Sequence, residues 1–338
     1  MTKHNFIDLF QKFIKASENG RRVKKNGHKI TVTTIKNYYN TLRLLNDFAL
    51  KKKFNLILYE IKGNNKREFS FLKRYNANFY SRFCRYLFDD LNVLNNYVGQ
   101  NIKIIRVFYN WCLYERGINT GFFHKQFYVL HEEPPIITLS IEQLNFLIYD
   151  TAFNNRLKSH LQKTKDIFIV GCLTGLRISD VQRLRPQHLV IRDGNTYLNI
   201  AAQKTGYETL VKLPDFCIAI IKKYKSKQRL LPVPITCRFN KRLKEICELA
   251  QWTWTVVKQR KRGSKIIDLK SVQNKPYRFC DLVSSHTMRR TCITNMLVSG
   301  MPEHIVRKIS GHTNNSKSFF RYVSLAQKIT DTEIEKVF

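Results

Sequence analysis

The segment that decides the fold reads Ser285-His286-Thr287-Met288-Arg289-Arg290, and the helical periodicity that it opens continues to Ser299. Residues three positions apart lie on one face of a helix, so His286 and Arg289 are neighbours there. The pair joins an imidazole, which titrates near neutral pH, to a permanent guanidinium cation. Both groups are suited to chemistry at a phosphate.

Two further clusters accompany this segment in the second half of the chain. Residues 174–180 contain a glycine that ends one helix, and Arg177 stands near the start of the next. Ser310-Gly311-His312 is followed by Phe319-Phe320-Arg321-Tyr322, and Tyr322 is the only tyrosine after Tyr277. The second half therefore concentrates the residues that could act on a phosphate.

The net charge points to a polyanionic partner. The chain of 338 residues carries 59 Lys and Arg against 25 Asp and Glu, a formal charge of +34 with a pI near 10.0. Both halves are basic, which favours phosphate contact along the whole chain and salt-dependent binding. The alternative is a highly charged surface that serves only solubility.

The cysteines indicate a reducing compartment. They form no C-x-x-C pair and no metal-ligand spacing with histidine, and several lie in apolar runs. The sequence also lacks a signal-like segment and a membrane-spanning apolar run. We expect buried free thiols in a soluble cytoplasmic protein without a membrane partner. The cysteines are Cys84, Cys112, Cys172, Cys217, Cys237, Cys247, Cys280 and Cys292.

Four segments of the first half show helical periodicity, over residues 5–16, 31–50, 76–91 and 97–116. Their stripes of Phe and Tyr could stack on nucleic-acid bases, but aromatic residues at this spacing are usually core. The lysines and arginines between them are better candidates for phosphate contact.

Residues 117–140 lose this periodicity and include the stiff run Glu132-Glu133-Pro134-Pro135. We therefore expect a helical domain over residues 1–125, a linker over 126–138 and a second domain over 139–338. That domain opens with a predicted capping box, in which Ser140 caps a helix and Gln143 stands three positions on.

Within the second domain the periodicity changes over a short region. Residues 187–192, 196–203 and 207–213 alternate as three short strands of an antiparallel meander, separated by turns. Helices are predicted over residues 140–151, 163–175, 217–224, 240–251, 285–299 and 302–310. The basic run within 258–270 is expected to be an insertion that is either solvated or faces DNA.

An arginine, a lysine on a hairpin turn, His-x-x-Arg, Gly-His and a tyrosine near the C-terminus follow one another in this order. The set resembles the tyrosine recombinase, or phage-integrase-like, family, closely in the second half and only in architecture in the first. The resemblance implies a mainly α fold with a small antiparallel three-stranded sheet. It also implies an N-terminal helical core-DNA-binding (SAM-like) domain before a C-terminal tyrosine recombinase catalytic domain. The implied catalytic residues are Arg177, Lys204, His286, Arg289, His312 and Tyr322.

Strand transfer explains why these residue types occur together. Displacing a phosphodiester oxygen develops negative charge, which Arg177 and Arg289 can stabilise. Tyr322 can attack phosphorus and store the bond energy as a 3′-phosphotyrosine, so that neither metal nor ATP is required. Lys204 can protonate the leaving 5′-oxygen, as the family's hairpin lysine does, and Lys212 is the fallback.

The two histidines, His286 and His312, can orient the phosphate and exchange a proton with the tyrosine. A metal pair is the rival interpretation, but neither histidine has Cys, Asp or Glu at zinc-like spacing, so we expect no metal and no cofactor. Asp180 stands where the family more often has Glu, with positioning of Arg177 or His286 as its expected role. The ten positions from His312 to Tyr322 are one more than the usual spacing.

The expected partner is double-stranded DNA, at a core site with inverted repeats. The apolar residues near the end of residues 331–338 could pack on a neighbouring copy; similar proteins exchange such a segment, which implies a homotetramer on DNA. A tail folded on its own domain is the alternative. A type IB topoisomerase and a catalytically silent DNA-binding regulator remain as other functions, and integration, excision, inversion and dimer resolution are not distinguished.

Overall fold

The computed structural model describes residues 1–24, 26–63, 65–203, 206–313 and 316–337, without the side chains of residues 333, 336 and 337. The helices are α1 (Phe6–Glu18), α2 (Val32–Lys51), α3 (Lys66–Arg85), α4 (Asn95–Arg116), α5 (Ile141–Tyr149), α6 (Thr151–Arg156), α7 (Ser159–Thr174), α8 (Ile178–Val181), α9 (Asp215–Tyr224), α10 (Thr236–Leu249), α11 (Phe279–Leu282), α12 (Ser285–Val298), α13 (Glu303–Ser310) and α14 (Lys317–Val337). The strands are β1 (Thr2–Asn5), β2 (Ile57–Glu60), β3 (Leu189–Arg192), β4 (Asn195–Ala201), β5 (Glu208–Lys212), β6 (Thr255–Val256), β7 (Gln259–Arg262), β8 (Lys265–Asp268) and β9 (Tyr277–Arg278).

The chain divides into two compact units. The first comprises Met1–Pro134 and Gln259–Asp268, and the second comprises Pro135–Lys258 and Leu269–Phe338. The hairpin β7–β8, which the sequence assigned to the second domain, thus groups with the first unit.

Aromatic side chains fill the core of the first unit. Phe6, Phe10, Phe13 and Phe108 are at most 1% exposed, and their rings lie 4.8–6.3 Å apart in stacked, tilted and edge-on pairs. Burying such rings removes a large apolar area from water. The interpretation of these aromatic stripes as core is confirmed.

The basic hairpin β7–β8 is held by polar contacts within the first unit. Nε of Arg260 lies 2.8 Å from Oε1 of Glu132, and Oε2 accepts from the backbone N of Lys261 at 2.7 Å. At the turn, the Asn95 side chain bonds both the N and the O of Gly263, at 2.7 and 2.9 Å. Arg260 is thus paired with an acid, while Gln259, Lys261 and most of β8 are exposed; whether the hairpin is solvated or faces DNA stays a prediction.

Close packing of α7 on α12 sets the frame of the second unit. A Cβ at Gly171 would lie 2.3 Å from Sδ of Met288, so only glycine lets the two helices approach this far. Helix α7 ends at Gly175, which adopts a left-handed φ of 65° as its cap. Oδ1 of Asn240 accepts from the backbone N of Ser285 at 2.8 Å and so fixes the start of α12.

The strands β3, β4 and β5 form an antiparallel sheet in that order. The described residues also form three two-stranded sheets. The pairs β1–β2, β6–β9 and β7–β8 were not predicted. Tyr207, just before β5, lies close to the end of α13, since a Cβ at Gly311 would approach Cδ1 of Tyr207 to 3.2 Å. Gly311 also has a left-handed φ of 61°, so both its conformation and its surroundings favour glycine.

The prediction of a mainly helical chain with small antiparallel sheets is confirmed. The predicted capping box forms, with Ser140 N bonding Gln143 Oε1 at 2.9 Å and Gln143 N bonding Ser140 Oγ at 3.2 Å. Helix α3 begins at Lys66, ten positions earlier than expected, and passes into a π-helical turn through Asp90.

The cysteines are free thiols, as predicted, and Cys237 is the exposed one. Among the described helices, none combines the length and the apolar character that crossing a bilayer needs.

Candidate active site

Arg289 lies at the centre of the site and is only 8% exposed. Its Nη1 donates to the backbone O of Gly175 at 2.9 Å, and its Nη2 donates to the backbone O of Ser310 and to Nδ1 of His312, the latter at 3.3 Å. Gly175 caps α7 and Ser310 ends α13, so both carbonyls belong to the negative ends of helix dipoles. Burial, followed by the charge of Arg177, lowers the pKa of Arg289 to about 10, and it stays protonated at neutral pH.

Arg177 is a second guanidinium beside the first. It caps α8, two positions after Gly175, and is half-buried. Within the described ranges its side chain makes no hydrogen bond or ion pair, and its charge contributes to the lowered pKa of both Arg289 and His312. Two adjacent cations repel each other, so the pair is suited to an anion that bridges them.

His312 contacts two neighbours through one ring nitrogen. Its Nδ1 lies 3.3 Å from Nη2 of Arg289 and 2.8 Å from the hydroxyl oxygen of Ser310, which itself donates to the backbone O of Val306 at 2.6 Å. Burial, then the charges of Arg289, Arg177 and Arg307, lower the pKa of His312 to about 4. The ring is therefore neutral near pH 7.

Tyr322 lies on the second turn of α14, beside this histidine. Its ring centroid is 6.1 Å from that of His312, and the half-buried side chain packs on the apolar cluster of Ile293, Val306 and Phe319. The ten-residue spacing from His312 to Tyr322 thus still brings the two rings of one chain together.

His286 and Asp180 stand at the edges of the site. His286 is exposed on the first turn of α12, one turn before Arg289. Asp180 is 1% exposed, and its Oδ1 accepts from Nη2 of Arg183 at 2.8 Å and from the backbone N of Gln203 at 2.9 Å. Asp180 therefore holds the end of β4, whereas the expected partners were Arg177 or His286.

Lys204 lies outside the described residues. The residues around it are anchored: Ala202 N donates to Tyr207 O, and Gly206 N donates to Ala202 O, both at 2.8 Å. Lys212 is exposed at the opposite end of β5 from this turn. Tyr207, at the other end of β5, lies next to Gly311.

A comparison with protein families matches residues 147–328 to the phage integrase family. The chain belongs to this family. It is accordingly a tyrosine-type site-specific recombinase, an enzyme that breaks and rejoins DNA strands. A comparison with curated proteins finds no match.

Solved structures of integrases and recombinases share the fold of the chain. A lambda integrase dimer bound to a COC′ core site has a TM-score of 0.59 and 11% identity, over 95% of this chain and 77% of that one. XerH site-specific recombinase bound to palindromic difH substrate, a post-cleavage complex, has a TM-score of 0.58 and 13% identity, over 94% of this chain and 80% of that one. The Tn1549 transposon integrase in complex with circular intermediate DNA has a TM-score of 0.53 and 15% identity, over 94% of both chains.

Three residues that this integrase uses around the site escaped the sequence reasoning. Ser310 stood in a quoted motif but was given no role, although its carbonyl binds Arg289 and its hydroxyl approaches His312. Nothing in the sequence singled out Arg183 and Arg307, because a basic residue on a helix of a basic protein is expected to lie at the surface. Only the fold shows that each contacts a segment next to a catalytic candidate.

Proposed function

We propose that this recombinase exchanges DNA strands through a covalent bond between the phenolic oxygen of Tyr322 and a 3′-phosphate. The observation that carries the proposal is the convergence of Arg289, His312 and Tyr322. Arg177 is near enough for its charge to lower the pKa of both Arg289 and His312. Two cations, a neutral hydrogen-bond donor and a nucleophile are what phosphoryl transfer without hydrolysis requires.

In the first step, the guanidinium groups of Arg177 and Arg289 bind the two non-bridging oxygens of the scissile phosphate. Nε2–H of His312 donates a further hydrogen bond, which strengthens as charge develops in the transition state. Arg289 and His312 are held in place before DNA binds, because hydrogen bonds within the protein fix both side chains.

The phenolic oxygen of Tyr322 then forms a bond to phosphorus as the bond to the 5′-oxygen breaks. The phenolic proton passes to solvent or to His286, and Lys204 supplies a proton to the leaving 5′-oxygen. One phosphate ester replaces another, so the 5′-hydroxyl of a partner strand can reverse the step and complete the exchange. No ATP enters this balance.

The first unit, with the hairpin β7–β8, serves as the core-DNA-binding domain in this proposal, and the rest of residues 139–338 supplies the catalytic domain. The net charge of +34 supports contact of the whole chain with the DNA backbone. Since the lambda integrase structure is a dimer on its core site and the XerH substrate is palindromic, we expect a site with inverted repeats.

The assembly that performs exchange is proposed to be a homotetramer. Helix α14 continues without a break to Val337, and Ile334 near its end is 51% exposed. An exposed apolar side chain at a helix end can pack on a neighbouring copy. Removing residues 331–338 should abolish assembly on paired sites in native gels but leave cleavage of a single site.

The test uses a duplex with short inverted repeats from the DNA that flanks the gene, nicked so that the cleaved fragment diffuses away. Wild type should accumulate a protein–DNA adduct that resists denaturant, and Tyr322→Phe should form none. The matched control is Tyr277→Phe, which should form the adduct normally. An adduct with Tyr322→Phe would refute the nucleophile assignment. Relaxation of supercoiled DNA without strand exchange would instead favour the topoisomerase function.

A further inference from the structure

Arg307 is a buried cation that the catalytic scheme above does not use. It lies on α13, is 8% exposed, and pairs through Nη2 with Oε2 of Glu303 at 3.1 Å. Burying a guanidinium is unfavourable unless its surroundings compensate the charge. Glu303 is half-exposed, so the ion pair alone gives no reason for the arginine to point inward.

The other contacts of Arg307 lead to the segment that carries the nucleophile. Its Nη1 donates to the backbone O of Thr313 at 3.4 Å, just after His312. Its Cζ lies 3.9 Å from the ring centroid of Phe319 and 4.9 Å from that of Phe320, both on the first turn of α14. A guanidinium over aromatic faces is attracted by their negative potential. One side chain of α13 thus holds both ends of the connection to α14.

Phe319 transmits this placement to the reacting groups. It is fully buried, and its ring centroid lies 5.4 Å from that of His312 and 6.5 Å from that of Tyr322. Tyr322 follows three positions later, on the same face of the helix. A shift of Phe319 therefore moves the tyrosine relative to the histidine.

We propose that Arg307 is a positioning residue that sets Tyr322 against the phosphate-binding groups, resting on the proposed role of Tyr322 as nucleophile. The connection from His312 to Tyr322 is one residue longer than the spacing expected of the family, so its length alone does not fix where the tyrosine lies. The guanidinium supplies that constraint from α13. Arg307 is buried, so its proposed role is exerted through Phe319.

The proposal separates two reactions of the same site. Adduct formation on the nicked duplex needs Tyr322. Joining does not, if one DNA strand ends in a 3′-phosphate esterified to p-nitrophenol. A 5′-hydroxyl then attacks phosphorus, the bond to the phenol oxygen breaks, and p-nitrophenolate leaves with the electron pair while Lys204 accepts the hydroxyl proton, the reverse of its role in cleavage. Joining therefore uses Arg177, Arg289, His312 and Lys204 but not Tyr322.

Arg307→Met should slow adduct formation at least about tenfold, because a misplacement of about 1 Å can cost about 10²-fold. The same variant should join the p-nitrophenyl substrate within about twofold of wild type. Lys308→Met removes the same charge from the exposed side of the same helix and should leave both reactions unchanged. Phe319→Leu removes the ring beneath the guanidinium and should reproduce the selective loss, which gives a second route if Arg307→Met folds poorly.

Two results would overturn the proposal: wild-type adduct formation by both Arg307→Met and Phe319→Leu, or a parallel loss of adduct formation and joining, which indicates general damage to the site. Tyr322→Phe should join normally and form no adduct. An adduct with that variant would refute the proposed function itself, and this outcome does not depend on Arg307.

Discussion

Replacing Arg289 by lysine tests whether one side chain both holds the site together and binds the phosphate. The guanidinium bonds the carbonyls of Gly175 and Ser310 and Nδ1 of His312, three acceptors on different elements. A lysine has its donors on a single nitrogen and cannot reach all three. A buried carbonyl left without a partner costs about 1–3 kcal/mol in the free energy of unfolding. Each kcal/mol lowers Tm by about 2–4 °C in a unit of this size. Loss of the contact to phosphate should also lower the cleavage rate by about 10²–10³-fold.

The matched control is Arg177→Lys, because the Arg177 side chain makes no hydrogen bond or ion pair inside the described ranges of the chain. Cleavage should fall by a similar factor while Tm stays within about 1 °C of wild type, since surface-like substitutions usually change stability little. Single-turnover adduct formation and thermal unfolding measure the two effects. Wild-type Tm with Arg289→Lys would refute the structural role of this arginine. Equal destabilisation by both variants would remove the distinction between them.

Two further predictions concern the neighbours of these arginines. Because burial and nearby arginines lower the pKa of His312 to about 4, well below its usual 6.5, the unfolded chain takes up this proton first as the pH falls. Stability should therefore be lost between about pH 6.5 and 4, and His312→Asn should lose less in urea titrations; His124, with a pKa also lowered to about 4, contributes equally to both proteins. Asp180→Asn should slow cleavage about tenfold by weakening the anchor on Gln203 beside the turn. Arg183→Met, which loses the bond to the same carboxylate, should also slow cleavage. Wild-type cleavage rates in both variants would show that the contact of Asp180 with Gln203 has no role in cleavage.

Local signals made part of this structure predictable. The capping box at Ser140 and the glycine cap at Gly175 depend on residues within one helical turn, and both form as expected. The meander strands follow from alternation and turn residues. The identities of the candidate catalytic residues came from their order along the chain, which a single sequence displays.

Contacts between distant segments were not predictable in the same way. Gly175 and Arg289 are 114 positions apart, and Asp180 and Gln203 are 23 apart, so no periodicity reports either bond. The pairing of Glu132 with Arg260, 128 positions away, is another example. In each case the sequence shows a polar group, but only the fold supplies its partner.

The way in which Arg289 is held bears on how the site keeps its charge. A carboxylate could have fixed the guanidinium just as firmly, but it would have neutralised the cation that the phosphate must meet. Here the cap carbonyl of α7 and the last carbonyl of α13 accept its bonds instead, and each helix end offers only a partial negative charge. The arginine is thus immobilised and satisfied while most of its charge remains for the incoming anion. Because the lowered pKa of His312 keeps that ring neutral, the histidine adds no third full positive charge beside the two arginines, and in the proposed scheme it can serve as a neutral donor to the phosphate.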